Sequence, residues 1–107
     1  MKESTESLLI ELRSRLASIY GPRLRKIVLF GSVARGDERA DSDIDILVIL
    51  DDFEDLWVEM ERTGEVMADL ALKYDRVPVV IPIREDELEK GKTPFLLNVR
   101  KEGITVS

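Results

Sequence analysis

GSVARGDERADSDID, residues 31–45, decides how this chain is read. An apolar run, KIVLF over 26–30, leads into Gly31-Ser32, and a second, ILVIL over 46–50, follows Asp43-Ile44-Asp45. Along a strand, residues i and i+2 share a face. Asp43 and Asp45 are therefore expected to present two carboxylates to one side, with Ile44 and Ile46 on the other. Like charges so placed repel and gain nothing from folding unless a cation neutralises them. Converging carboxylates suit hard, oxygen-seeking ions such as Mg²⁺ or Mn²⁺. Gly31 allows a tight bend and a close approach of backbone to phosphate. Ser32 opens a helical turn whose first N–H groups, with its own hydroxyl, can donate to phosphate oxygens. The bend and the acid pair together read as a site for a metal-bound nucleoside triphosphate.

Each piece also has a plainer reading. A Gly-Ser step is an ordinary strand-to-helix turn with a serine cap, and an isolated Asp-x-Asp is a solvated strand edge. The distance between them is what favours a ligand. Arg35, three residues beyond Ser32 and on the same helical face, either brings positive charge to the triphosphate or fixes the turn by bonding a carboxylate. Asp37, Arg39 and Asp41 read as solvated loop residues, and Ser42 as ordering the loop by side-chain-to-backbone bonding.

The pattern Gly-Ser, ten residues, Asp-x-Asp resembles the signature of the DNA polymerase β-like nucleotidyltransferase superfamily. Ala34-Arg35-Gly36 and Ser42 are similar to the minimal nucleotidyltransferases, small domains often paired as antitoxins with helical HEPN toxins. The resemblance implies an α/β (α+β) fold, a small mixed sheet with helices packed mainly on one face. It implies Mg²⁺-dependent transfer of a nucleoside monophosphate, with ATP as substrate, to a hydroxyl of a partner protein, a tyrosine of a HEPN toxin. Gly31, Ser32 and Arg35 would bind the nucleotide; Asp43 and Asp45 would be catalytic and hold the metal. One departure stands out. Most active members of the superfamily carry a third acid on a neighbouring strand, and the strand expected here, VPVVIPI over 77–83, has none. Asp75, just before it, is the candidate third acid; its other reading is a helix-end residue. That gap keeps open a non-catalytic module that retains nucleotide or metal and neutralises its partner by contact.

Composition narrows the chemistry further. The chain has 107 residues, no cysteine and no histidine, so thiolate nucleophiles, histidine bases and Cys or His metal sites are excluded. One domain over 1–107 is expected. A net charge of −6 argues against nonspecific nucleic-acid binding. No apolar run reaches the roughly 18 residues of a membrane span. The opening, MKESTESLLIEL, reads as too acidic and too short in its apolar part for a signal peptide, so a cytoplasmic protein is expected.

Apolar spacing predicts a helix over 4–20 capped by Ser4 or Thr5, a central strand over 26–30, a helical turn over 32–36 and a polar loop over 37–42. It continues with a strand over 43–50, a long helix over 53–74 with Gly64 as a weak point, and an edge strand over 77–83 carrying Pro78 and Pro82. One or two short helices over 84–102 and a last short strand over 103–106 complete the chain. Trp57 and Phe53 read as core or partner-contacting residues, and Arg100-Lys101 as the polar face of a short helix. Phe95 to Leu97 form an apolar cluster available for contact.

Overall fold

Leu8, Leu12, Leu16 and Tyr20 recur every four residues, so together with Leu9 they bury one side of α1, Glu3–Tyr20. The computed structural model describes residues 3–37 and 43–106. Gly21, at φ +56°, and Pro22 end the helix and lead through a 3₁₀ turn into β1, Leu24–Phe30. A four-residue helical turn, α2, Gly31–Ala34, follows directly. β2, Ile44–Leu50, pairs antiparallel with β1. The chain then crosses through α3, Leu56–Tyr74, to β3, Pro78–Arg84, which lies parallel to β2. Two short helices, α4 (Glu85–Lys90) and α5 (Pro94–Glu102), precede β4, Ile104–Val106, on the other side of β1.

The sheet order is β3-β2-β1-β4, which explains the strand compositions. β1 and β2 are central. β2 is apolar on both faces after Asp45 because both faces are covered. β3 is an edge strand, where Pro78 and Pro82 are tolerated. Ile44, Ile46, Val48 and Leu50 face the larger core cluster, shared with α1 and α3. Leu47 and Ile49 face the opposite side, where Leu88 of α4 and Val99 of α5 close a smaller cluster. The two long helices form the main layer on one face, as expected, and the short helices cover part of the other.

Charged contacts tie α1 to α3. Arg15 Nη1 donates to Asp69 Oδ2 at 2.7 Å, and Glu11 accepts from both Lys73 Nζ and the Tyr74 hydroxyl. The buried Glu59 carboxylate accepts from the Tyr20 hydroxyl at 3.0 Å. Burial, and then that bond, push Tyr20 up to about 12. Thr5 departs from its expected role as a cap. It is buried within α1, and its hydroxyl accepts from Arg76 Nη1 at 2.9 Å. α3 runs through Gly64 without a break, but begins after Phe53. Asp55 caps it by accepting from the Trp57 N–H at 2.9 Å. Among the described residues, no helix is long and apolar enough to cross a membrane.

Candidate active site

Because β1 and β2 are antiparallel neighbours, the end of one lies beside the start of the other. Phe30 is paired with Asp45. Alternation along β2 turns Asp45 to the same face as Leu47 and Ile49, and Phe30 joins that same cluster. Immediately after Phe30 the backbone bends at Gly31, with φ +74°. The bend is needed for contact as well as direction. A Cβ on Gly31 would stand 2.2 Å from Asp45 Oδ2. The carboxylate of the second strand therefore occupies the space a side chain at the bend would fill.

The bend is held from inside the fold. Val33 is buried in the larger core cluster, while Ser32 remains half-buried at the surface. Arg35 N–H donates to Gly31 O at 3.2 Å and Asp37 N–H to Ser32 O at 2.9 Å. The first N–H groups of such a turn have no partner within it. Arg35 forms an exposed ion pair with Asp37 at 3.6 Å.

Asp43 stands one residue before β2 and is exposed. Burial, and then the charge of Asp43, hold the Asp45 carboxyl above its ordinary range, with Arg35 opposing them. The two acids thus feel one another, as the i, i+2 spacing requires. Both candidate donors are carboxylates, and the Asp45 carboxylate packs against the bend. Those properties fit a hard divalent cation.

Among the described residues no group of three acidic side chains is arranged to hold a metal. The β3 residue paired with Asp45 is Val79. Asp75 is an exposed left-handed residue, φ +51°, that ends α3. Arg39, Asp41 and Ser42 lie outside the described residues. Phe53 is buried, as expected of a core residue, whereas Trp57 is 73 % exposed on α3.

Sequence reasoning missed the contribution of α5. Phe95 meets Phe30 edge to face, with centroids 5.4 Å apart and rings at 85°. Phe95, Asn98 and Glu102 line a groove that also touches Gly31 and Arg35. Their spacing of three and four was visible as one helical face, but nothing local said what that face meets.

Comparison with known proteins adds an independent line. The family model described as nucleotidyltransferase domain matches residues 9–102. A provisionally named protein adenylyltransferase of Methanocaldococcus jannaschii is 38 % identical over 100 residues, covering 92 % of this chain and 93 % of that protein. The protein adenylyltransferase MntA of Thermococcus cleftensis is 38 % identical over 80 residues, covering 70 % of this chain and 74 % of that one. Among solved structures, a toxin–antitoxin crystallised with AMP-PNP aligns with TM-score 0.63 and 27 % identity, over 94 % of this chain and 70 % of its own.

Proposed function

The chain belongs to the nucleotidyltransferase domain family, and from that premise we propose that it moves AMP from Mg²⁺-bound ATP to a hydroxyl of a partner protein, a HEPN toxin that it thereby neutralises. The observation that carries this reading is the seating of the Asp45 carboxylate against the Gly31 bend. It supports a reading in which the acid pair and a phosphate-holding turn serve one ligand. Asp43 and Asp45 would hold the metal, which when bound neutralises the polyphosphate and the departing pyrophosphate. The backbone at Gly31 and Ser32, with the Ser32 hydroxyl, holds phosphate oxygens, and Arg35 adds positive charge beside them.

In the transfer, the acceptor oxygen bonds to the α-phosphorus while the bond to the β-phosphate oxygen breaks. Pyrophosphate leaves, and the acceptor proton passes to solvent or to a nearby carboxylate. Asp75 is proposed as that carboxylate. The relatives named as adenylyltransferases and the likeness to a toxin–antitoxin bound to an ATP analogue support this substrate and partner.

A second reading is favoured by β3. Val79 flanks Asp45 where an acid would complete the site, so the chain would bind nucleotide without turnover and neutralise its partner by contact. The two readings separate on one measurement. The chain is mixed with Mg-ATP and its gene-neighbour partner, and the partner's intact mass is followed. Added AMP, absent with Asp43→Asn/Asp45→Asn, is the result expected of transfer. No added mass, with neutralisation preserved in the double variant, favours contact. An unchanged labelling rate with Asp75→Asn removes that residue from the site.

A further inference from the structure

The groove beside the bend has a volume of about 240 Å³ and continues from Gly31 along α5. We propose that it receives the base of the triphosphate held at Gly31 and Ser32, and that Asn98 and Glu102 select adenine. The inference rests on the nucleotide reading above. Three observations carry it.

The first is continuity. Gly31 stands beside the Asp45 carboxylate and also lines the groove, so a molecule with phosphates at the bend has the groove along α5 within reach of its remainder. The groove is smaller than the roughly 300–1,000 Å³ that encloses a drug-sized ligand, a size that suits a single flat ring system.

The second is the aromatic pair. Phe30 holds Phe95 edge to face, yet Phe95 remains 43 % exposed. A fixed ring with a free surface is a platform for a heteroaromatic base.

The third is the polar pattern. The Asn98 side chain is exposed and lies one helical turn before Glu102 on the same face. A carboxamide offers one donor edge and one acceptor edge, the complement of adenine's ring nitrogen and neighbouring amine. A carboxylate only accepts. Glu102 therefore favours a base that presents an exocyclic amine and repels one that presents a carbonyl oxygen at the same place, as guanine does.

The test compares binding of Mg-ATP, Mg-GTP and Mg-tripolyphosphate to the whole chain. Wild type is expected to bind ATP about tenfold or more tightly than the other two, the scale of one bidentate base contact. Asn98→Ala should weaken ATP binding about tenfold, with the rest of the preference over tripolyphosphate resting on Phe95, and Glu102→Gln, which adds a donor, should narrow the gap between ATP and GTP. Tripolyphosphate binding should not change in Asn98→Ala. Both residues are exposed, and a thermal melt of each variant confirms folding. If both variants keep the wild-type ratios while Asp43→Asn/Asp45→Asn still abolishes binding, the groove assignment is overturned and the nucleotide site stands. If wild type binds neither ATP nor tripolyphosphate, the nucleotide reading itself falls.

Discussion

Both ends of β2 carry a pair of aspartates, and the fold treats the two pairs in opposite ways. After the strand, arginines answer Asp51 and Asp52. Arg23 Nε lies 3.3 Å from Asp51 Oδ1, and Arg84 Nε lies 3.1 Å from Asp52 Oδ1. The Asp52 N–H, and then Arg23, hold the Asp51 carboxyl below its ordinary range. Before the strand, burial and Asp43 push Asp45 the other way. Among the described residues neither Asp43 nor Asp45 forms an ion pair. Acids that serve the fold carry their own counter-ions; under the proposed function, the acids at the bend would take theirs from outside.

The strongest challenge to this contrast removes each pair in turn. Asp43→Asn/Asp45→Asn should reduce AMP transfer by about a thousandfold or more, the equivalent of several kcal/mol of charge stabilisation. Its melting temperature without ligand should hold or rise, because a repulsion has been deleted. Asp51→Asn/Asp52→Asn should do the reverse, lowering the melting temperature and leaving transfer intact. If the first double variant is destabilised as much as the second, the two ends are equivalent and the comparison fails.

A smaller effect is expected from the bend. Gly31→Ala meets both a left-handed backbone and the Asp45 carboxylate at 2.2 Å. A loss of about 1–3 kcal/mol follows from the conformation, and displacement of Asp45 should abolish the stabilisation by Mg-ATP, about 2.7 kcal/mol at a hundred times Kd. Gly36→Ala supplies the control. Its φ is +81°, but nothing lies within 4 Å of the added Cβ, so it carries the backbone strain alone and should keep the ligand response. A double-mutant cycle isolates the contact: Gly31→Ala should cost less in an Asp45→Ala background. Equal costs in both backgrounds would mean that the carboxylate does not press on the bend.

How much of this contrast was legible in the chain depends on the range of the contact involved. The bend and the two acids stand out over a few residues, and the strand order is compatible with the apolar runs. Phe53 shows what periodicity cannot settle. It fits the helical stripe, yet its N–H is bonded to Asp52 Oδ1 at 2.8 Å and its ring lies under the Arg84 guanidinium, so the helix waits for the Asp55 cap. Thr5 looked like a cap because nothing near it in sequence announces Arg76, its partner across the fold. The α5 groove was hidden for the same reason: Phe95 finds Phe30 only after β1 and the last helix have packed. Local chemistry wrote the acids and the bend; tertiary packing supplied the surface beside them.

The smallest expected effect is also the one that tests the sign at each end. Asp51 has a depressed folded pKa, so its stabilisation is fully present above the ordinary aspartate value and lost as pH falls through the depressed one. Asp45 has a raised folded pKa. Its favourable contribution is fully present below the ordinary value and lost as pH rises through the raised one, which leaves the ligand-free fold with an ionisation penalty at neutral pH. Melting curves without metal, taken from acid to neutral, should therefore show opposite changes on substitution. Asp45→Asn should be more stable than wild type near neutrality, the difference shrinking as pH falls towards the ordinary aspartate range. Asp51→Asn should be less stable at neutrality, the difference vanishing only in stronger acid. Added Mg²⁺ should reduce the advantage of Asp45→Asn, since the ion compensates the charge that the substitution removes, and should leave the Asp51→Asn difference unchanged. Two variants that moved in the same direction would show that the acids at the bend are held by the fold as those at the far end are, and that no outside cation is called for.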